Sequence, residues 1–479
     1  MMNKTVPCIA TIVACALTIA GCMVGPDYVR PSAPVPPAYK ELDGWKVAQP
    51  GDVGPASAWW QAFGDTELDT LEAEVTVSNQ TIAAAAAAVR VAQAATDAAR
   101  SALFPSLTGS VPATRSSRTS AFNTASVANN YDVALSASWE VDLWGRVRRN
   151  VEASIDSAQA SAADLAAATL SVRALVAQDY MLLRVQDAQL KLLRDTVAGY
   201  ERSLQLTRNQ YKAGIAARGD VVQAEAQLKS TQAQVIDAQI TRAQLEHAIA
   251  VLIGKPPAEL SIAPRSMAPV FPAVPMVVPS ELLERRPDIA AAERRVAAAN
   301  AEIGVAQAAF YPSLSLSGAG GYQSSALGDL LLLPARYWAL GAALAQPLFD
   351  AGLRSAQKAQ AVAAYDQTVA NYRATVLAAF QDVEDNLVAL RRLEEESGVQ
   401  SEAVRAAQEA ATIANNQYRA GTTNYFTVVV LQAQELTAER TALAIVGRRL
   451  VATVGLIKAM GGGWTSAERI AIRGNPTGS

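Results

Sequence analysis

Asn209-Gln210-Tyr211-Lys212-Ala213-Gly214 returns as Asn416-Gln417-Tyr418-Arg419-Ala420-Gly421, an offset of 207 residues. Phe104-Pro105-Ser106-Leu107 returns at the same offset as Tyr311-Pro312-Ser313-Leu314. Ile82, Val89 and Gly145 map likewise onto Ile289, Val296 and Gly352. One offset shared by separated anchors means two copies of a structural unit with no net insertion between them. Such a repeat is read first because it sets the architecture. Each copy reads as helix, strand, strand, helix, helix.

The strands carry a period of two. Tyr131, Val133, Leu135, Ala137, Trp139, Val141 and Leu143 line one face, and Asp132, Ala134, Ser136, Ser138, Glu140 and Asp142 the other. That alternation is long enough for a tilted strand across a bilayer. A partner strand lies around Ser106–Thr114, and Ser116–Asn130 reads as a solvent loop. In the second copy, Ser313–Gln323 and Trp338–Phe349 play these parts around a loop at Ser324–Arg336. Trp338, Leu340, Ala342, Leu344 and Leu348 share one face there. Large apolar residues opposite small or polar ones suit lipid outside and a wet lumen inside. A soluble hairpin packed on helices is the alternative.

The helices are long. The chain reads as helical from about Asp65 to Ala102, and then from about Val147 to Lys212. Val176, Leu183, Leu190, Val197, Leu204 and Tyr211 recur every seven residues, with Leu193, Tyr200 and Thr207 three residues after the later ones. The second copy repeats the seam at Val383, Leu390, Val404, Ala411 and Tyr418, with Ser397 weak. Heptads of this length predict coiled-coil packing, and at 1.5 Å per residue such a helix runs about 100 Å. Gly214 and Gly421 end these helices. Return helices follow at about Asp220–Leu252 and Phe426–Met460.

These readings divide the chain into a leader (1–21), an irregular Pro-rich segment (22–64) and repeat 1 (65–254, strands about 104–115 and 131–143). A Pro-rich linker (255–279), repeat 2 (280–460, strands about 312–323 and 338–349) and a tail (461–479) follow. The leader has a basic start and an apolar run too short to span a bilayer. It ends in Ile19-Ala20-Gly21-Cys22, which resembles the lipobox of bacterial lipoproteins, with Cys22 acylated. An ordinary leader with an incidental Cys is the alternative. Met23 follows where an Asp would favour retention in the inner membrane, which points to the outer membrane.

Composition narrows the functional classes. Cys8, Cys15 and Cys22 are the only cysteines and His247 the only histidine. Thiolate or His metal sites and a Ser-His-Asp triad are therefore not expected. With 41 basic and 44 acidic residues, formal net charge −3, nothing suggests nucleic acid. No carboxylates pair in a pocket-like constellation, so no enzyme and no cofactor beyond a lipid on Cys22 are expected. The chain is 51% apolar yet 6% aromatic, much of it Ala, the composition of closely packed helices. No stretch after the leader reads as a membrane helix, so any crossing is made by strands in a closed barrel. Four strands cannot close one; two chains give eight strands and a blocked lumen, three give twelve and an aqueous passage. The expected fold is a mixed α and β membrane protein: a trimeric, 12-stranded barrel continued by a helical tunnel.

The chain resembles the outer membrane factor (TolC-like) family, and within it the NodT-type efflux lipoproteins. The residues that carry this are Cys22 with Gly25-Pro26-Asp27-Tyr28, Trp59-Trp60 with Phe63 and Leu68, and the two Pro-Ser-Leu motifs. Trp139-Glu140-Val141-Asp142-Leu143-Trp144-Gly145, Arg286-Pro287-Asp288-Ile289 and the two Tyr-x-Ala-Gly tips complete the set. The resemblance implies an outer-membrane trimer extending into the periplasm. It would dock on a periplasmic adaptor coupled to an inner-membrane transporter, commonly of the resistance-nodulation-division type, as the exit duct of multidrug efflux. It implies a gate at the hairpin tips, near Asp220 and Tyr425-Phe426-Thr427, and adaptor contacts near Tyr211, Gly214, Tyr418 and Gly421. Asp220 would form an acidic ring, or serve as a helix N-cap after Gly219. Val430 stands where relatives often have Asp. A protein-secretion duct and a non-conducting lipidated coiled-coil scaffold are the competing readings.

Overall fold

The computed structural model describes residues 23–41, 58–119, 125–265, 269–272, 279 and 285–462. The leader and Cys22 lie outside them. The elements are α1 (Thr66–Ser78), α2 (Gln80–Ser101), β1 (Ser106–Ser110), β2 (Ala113–Thr119), β3 (Ala125–Val141), α3 (Arg146–Lys212) and α4 (Arg218–Leu252). They continue with α5 (Pro287–Ala308), β4 (Ser313–Ser324), β5 (Arg336–Ala345), α6 (Leu353–Arg419) and α7 (Tyr425–Ala459). Each bound of α2, α3 and α4 plus 207 gives the corresponding bound of α5, α6 and α7. Contacts divide the chain into two compact units. One holds Ala87–Ala162 and Ala291–Ala374 with the described residues up to Ser32; the other holds Ala33–Ala86, Ala163–Ala290 and the residues from Thr375.

The first unit contains an antiparallel sheet. β1 and β2 pair with β3 in one continuous register, Ser106↔Ser138 through Thr119↔Ala125, so they are one strand interrupted at Val111-Pro112. Pro112 has no N–H to give to the ladder, though its carbonyl still accepts from Asp132 N at 3.0 Å. β3 pairs with β4 and β4 with β5. The predicted loop at Ser116–Asn130 is therefore wrong over most of its length. Residues 120–124 of that loop lie outside the described residues; Ser116, Ser117 and Asn129 are exposed and need no core because the backbone ladder holds them. β5 begins two residues earlier than predicted and ends at Ala345. Pro347 stops it, leaving Leu348 and Phe349 beyond the strand, 92% and 89% exposed.

An extended segment straps onto the helices of this unit, and it explains the Gly-Pro-Asp-Tyr motif. Gly25 lies so close to Gly304 that a Cβ on it would sit 2.5 Å from the Gly304 Cα. The Pro26 carbonyl accepts from Asn300 at 3.0 Å, and Asp27 takes a 2.8 Å ion pair from buried Arg149. Tyr28 donates to Glu293 at 2.7 Å. Val24 N–H reaches the Trp144 carbonyl at 3.0 Å, which brings the second residue after Cys22 to the joint between β3 and α3.

The second unit is helical. Trp60, Phe63, Leu68, Leu71 and Val75 pack on Val172, Val176, Tyr180 and Leu183 of α3, Ile249 and Ile253 at the end of α4, and Leu450 and Val454 of α7. The predicted seam is buried at Val176, Leu183, Leu190, Leu193, Tyr200, Leu204 and Thr207, but Tyr211 is 46% exposed. The seam stops short of the tip. One predicted helix is two: Asn79 breaks it, caps α2 through Ile82 N–H at 2.9 Å, and donates to the Leu252 carbonyl at 2.7 Å. Arg286, the position 207 residues on, reaches the Ala459 carbonyl at 3.4 Å. Both close the end of a return helix, where terminal carbonyls lack partners. Contrary to expectation, α3 contains a window long and apolar enough to cross a membrane, 33% of it buried. Val172, Val176 and Ala177 of α3 serve the core.

Gly254 ends this core under strain that only glycine bears. Its φ is +73°, and a Cβ there would lie 2.1 Å from the Ser78 carbonyl oxygen. Gly214 has φ +76° with open space around it. Gly254→Ala is expected to cost clearly more than the about 1–3 kcal/mol of backbone strain that Gly214→Ala carries. Paired thermal melts of the two variants check this; equal losses contradict it.

Candidate functional site

Two features of the chain carry chemistry. The first is the sheet. Directly opposed residues share a face, and the register joins Leu107, Ala137, Gly318 and Leu340 in one row and Gly109, Leu135, Gly320 and Trp338 in the next. Trp139, Leu316 and Ala342 form a third, and Val141, Leu314 and Leu344 a fourth. The opposite face carries Ser106, Thr108, Ser136, Ser138, Ser315, Ser317, Ala319, Ala343 and Gly341. One face is thus apolar and the other small and polar across all strands. Leu107, Trp338, Leu340 and Leu344 are exposed. The outer edges, β1–β2 and β5, each pair on one side only.

At the helix end of the sheet, Trp139 Nε1 donates to the Leu103 carbonyl at 3.1 Å and Trp144 Nε1 to that of Pro312 at 2.8 Å. Trp144 stacks on Tyr311, ring centres 4.8 Å apart. Asp142 accepts from the first N–H groups of α3, Val147 at 3.1 Å and Arg148 at 2.9 Å. A carboxylate at a helix N-terminus satisfies orphan donors and meets the positive end of the dipole. The Trp-Glu-Val-Asp-Leu-Trp-Gly motif is thus a strand-to-helix joint.

The second feature is the pair of hairpin tips. Tyr425 and Tyr418 pack with ring centres 5.1 Å apart, among Tyr200, Leu204, Ala224, Leu228, Ala414 and Val428. The Tyr425 hydroxyl is 3.1 Å from Ser203 Oγ, and the Tyr418 hydroxyl donates to Gln210 at 2.7 Å. Burial pushes the pKa of both phenols up; the Ser203 hydroxyl opposes this most at Tyr425 and the Thr207 hydroxyl at Tyr418, and the Asp220 carboxylate adds to the rise at both. Both phenols stay neutral at physiological pH.

The predicted site residues separate at this point. Tyr425 is 1% exposed and belongs to the tip core, whereas Phe426 is 59% exposed. Thr427 is half-buried and tied to Asn424, whose Oδ1 accepts from its N–H at 3.1 Å and its hydroxyl at 2.8 Å. Asp220 is not an N-cap: α4 starts at Arg218 with Ala217 as the cap residue, and Asp220 N–H bonds to the Ala217 carbonyl at 3.1 Å. Its half-buried carboxylate lies in the first turn. Gly214 and Gly421 take φ +76° and +75°, the left-handed C-cap conformation. Tyr211 is exposed and Tyr418 half-buried. His247 is exposed, and among the described residues no cluster could hold a metal ion.

Sequence reading missed Asn424 and Ser203, and it placed Thr207 in the seam and Gln210 in the repeat without giving either a polar contact to the tip tyrosines. Only Asn424 left a signal, as an Asn three residues before Thr427 at a helix start. Asn424→Ala is expected to lower stability by about 1 kcal/mol, read as an earlier melt and faster amide exchange in the first turn of α7. Ala217, the matching cap of α4, has no side-chain bond to lose.

A family model described as "Outer membrane efflux protein" matches residues 73–255 and again 278–462. The pyoverdine export outer membrane protein OpmQ of Pseudomonas aeruginosa is 31% identical over 467 residues, covering 95% of this chain and 97% of that one. The toluene efflux pump outer membrane protein TtgC of Pseudomonas putida is 33% identical over 462 residues, 94% of each chain. Among solved structures, the outer-membrane channel OprN superposes with a TM-score of 0.87 at 31% identity, over 92% of this chain and 100% of that one.

Proposed function

The chain belongs to the outer membrane efflux protein family, and on that premise we propose that three copies close a 12-stranded barrel continued by a helical periplasmic conduit. The protein is an outer-membrane efflux channel, the exit duct of a pump, reaching into the periplasm. The observation that carries the barrel is the register. It gathers the large apolar side chains on one face of a sheet whose edges, β1–β2 and β5, are both free. An antiparallel sheet in lipid must close, because unpaired edges are costly there, and three copies join edge to edge with the Ser- and Ala-rich face toward water.

Conduction is passive and gated. Phe426, exposed next to buried Tyr425, forms the apolar constriction, and Asp220 an acidic ring. The exposed tip residues Tyr211, Gly214 and Gly421 are offered to a periplasmic adaptor that couples the duct to an inner-membrane transporter. Acylation of Cys22 ties the N-terminus to lipid, and Val24, two residues on, bonds to Trp144 at the helix end of the sheet.

Single-channel recording in planar bilayers tests this reading. The wild type should show rare openings, and Phe426→Ser should raise open probability at least several-fold. Asp220→Asn should reduce preference for cations. A protein that assembles in the bilayer yet never conducts, with or without Phe426→Ser, refutes the duct.

A further inference from the structure

The loop between β4 and β5 is built unlike its counterpart. Beyond the apolar face the first hairpin continues as paired polar strands, with Thr114, Arg115, Ser116, Ser117, Asn129 and Asn130 in the ladder. The second hairpin ends its ladder at Tyr322↔Arg336 and closes through two short 3-10 turns, Leu327–Asp329 and Leu333–Ala335. Between Leu327 and Leu333 five of seven residues are Leu. Leu330 is 8% exposed, while Leu327, Leu331, Leu332 and Leu333 are 67%, 72%, 53% and 77% exposed.

Leu331, Leu332 and Leu333 are three consecutive exposed leucines, with exposed Leu327 one short turn earlier; large apolar side chains gathered this way on a surface mark a contact site. The register says what it meets. Arg336, Trp338 and Leu340 alternate along β5 on the face that also carries Leu135 and Leu107. The Leu loop therefore opens directly off the outer rim of the apolar face. Arg336, on that same face at the rim, makes no ion pair among the described residues. A cation just above an aromatic and an apolar band is the arrangement that meets lipid phosphates.

We propose that the Leu327–Leu333 loop with Arg336 is a lipid-binding foot. Its leucines lie among the acyl chains of the outer leaflet, and Arg336 holds a phosphate-bearing headgroup. The inference rests on the barrel reading. In each copy one hairpin then stands out in water while the other lies down on the membrane. The lipid clamps the loop against the rim of the barrel and keeps its leucines away from the mouth of the channel.

The test uses the full chain in phosphatidylcholine vesicles with and without phosphatidylglycerol, spin-labelled at Leu331→Cys, Leu340→Cys or Ser117→Cys. Collision with oxygen should exceed collision with a water-soluble nickel chelate several-fold at positions 331 and 340, and the order should reverse at 117. Leu333→Cys repeats the reading should the first variant misfold. Phosphatidylglycerol should draw the loop label deeper, and Arg336→Gln should remove that gain. A loop label open to nickel, or closed to both reagents because protein covers it, overturns the proposal. A label at 331 that stays at one depth when phosphatidylglycerol is added overturns the headgroup contact. If position 340 is also open to nickel, the barrel reading fails as well, which separates the two.

Discussion

Leu340→Arg is expected to abolish assembly in the outer membrane. Leu340 is 80% exposed, in register with Gly318 on the apolar face of the sheet. An arginine at the lipid face of a barrel costs about 2–4 kcal/mol near the midplane. In the proposed trimer three copies would incur that cost together, so the sum approaches the stability of an ordinary domain. Ala339→Arg, one residue earlier, is the control. Ala339 lies opposite Ala319 on the polar face, so its guanidinium would sit in water. That variant should still assemble and shift ion selectivity toward anions. Quantifying trimer on native gels of outer-membrane extracts reads both. Equal trimer yield in the two variants would contradict the assignment of faces.

Glu72→Gln is expected to remove most of an alkaline weakening of the helical unit. Glu72 is fully buried in α1, and neither carboxylate oxygen has a hydrogen-bond partner. Burial pushes its pKa up to about 8; Arg173, whose Nε lies 4.0 Å away, offsets part of this, and Asp69 adds to it. The Arg173 guanidinium lies over Trp60, 4.6 Å from the ring centre. The folded state therefore holds a proton that the unfolded chain gives up near its usual 4.5. Stability from this group is complete below about pH 4.5 and drains away as pH rises through about 8. A shift of this size is worth about 2–5 kcal/mol across that interval. Gln keeps the neutral, protonated shape at every pH. Melting temperatures measured from pH 5 to 9 should fall in the wild type and stay flatter in the variant. Parallel slopes would show that Glu72 is ionised throughout.

Much of the architecture was legible in the residues because repeats and periodicities are one-dimensional. The offset of 207 placed Gly214 opposite Gly421, and the tip helices do end there in matched left-handed turns. Period-two alternation named the apolar face from Tyr131 to Val141. Errors came where the backbone alone decides. Ser116–Thr119 and Ala125–Asn130 pair as strands without any apolar pattern, since the ladder needs only N–H and C=O groups. Tyr425 was grouped with Phe426 as a gate residue, but adjacent positions on a helix point about 100° apart. One ring enters the core beside Tyr418 and the other meets solvent.

The duplicated unit, its order of helices and strands, and the alternation of side chains along each strand are set in the order of the residues. All of these follow from spacing along one chain. The merging of the alternating faces of separate strands into a single apolar sheet face emerges only in the fold. Only it showed that Asn79 and Arg286 close the return helices across more than 170 residues. Cross-strand register and long-range caps depend on which distant backbones meet. That is fixed by packing and hydrogen-bond satisfaction in three dimensions, to which no local pattern is tied.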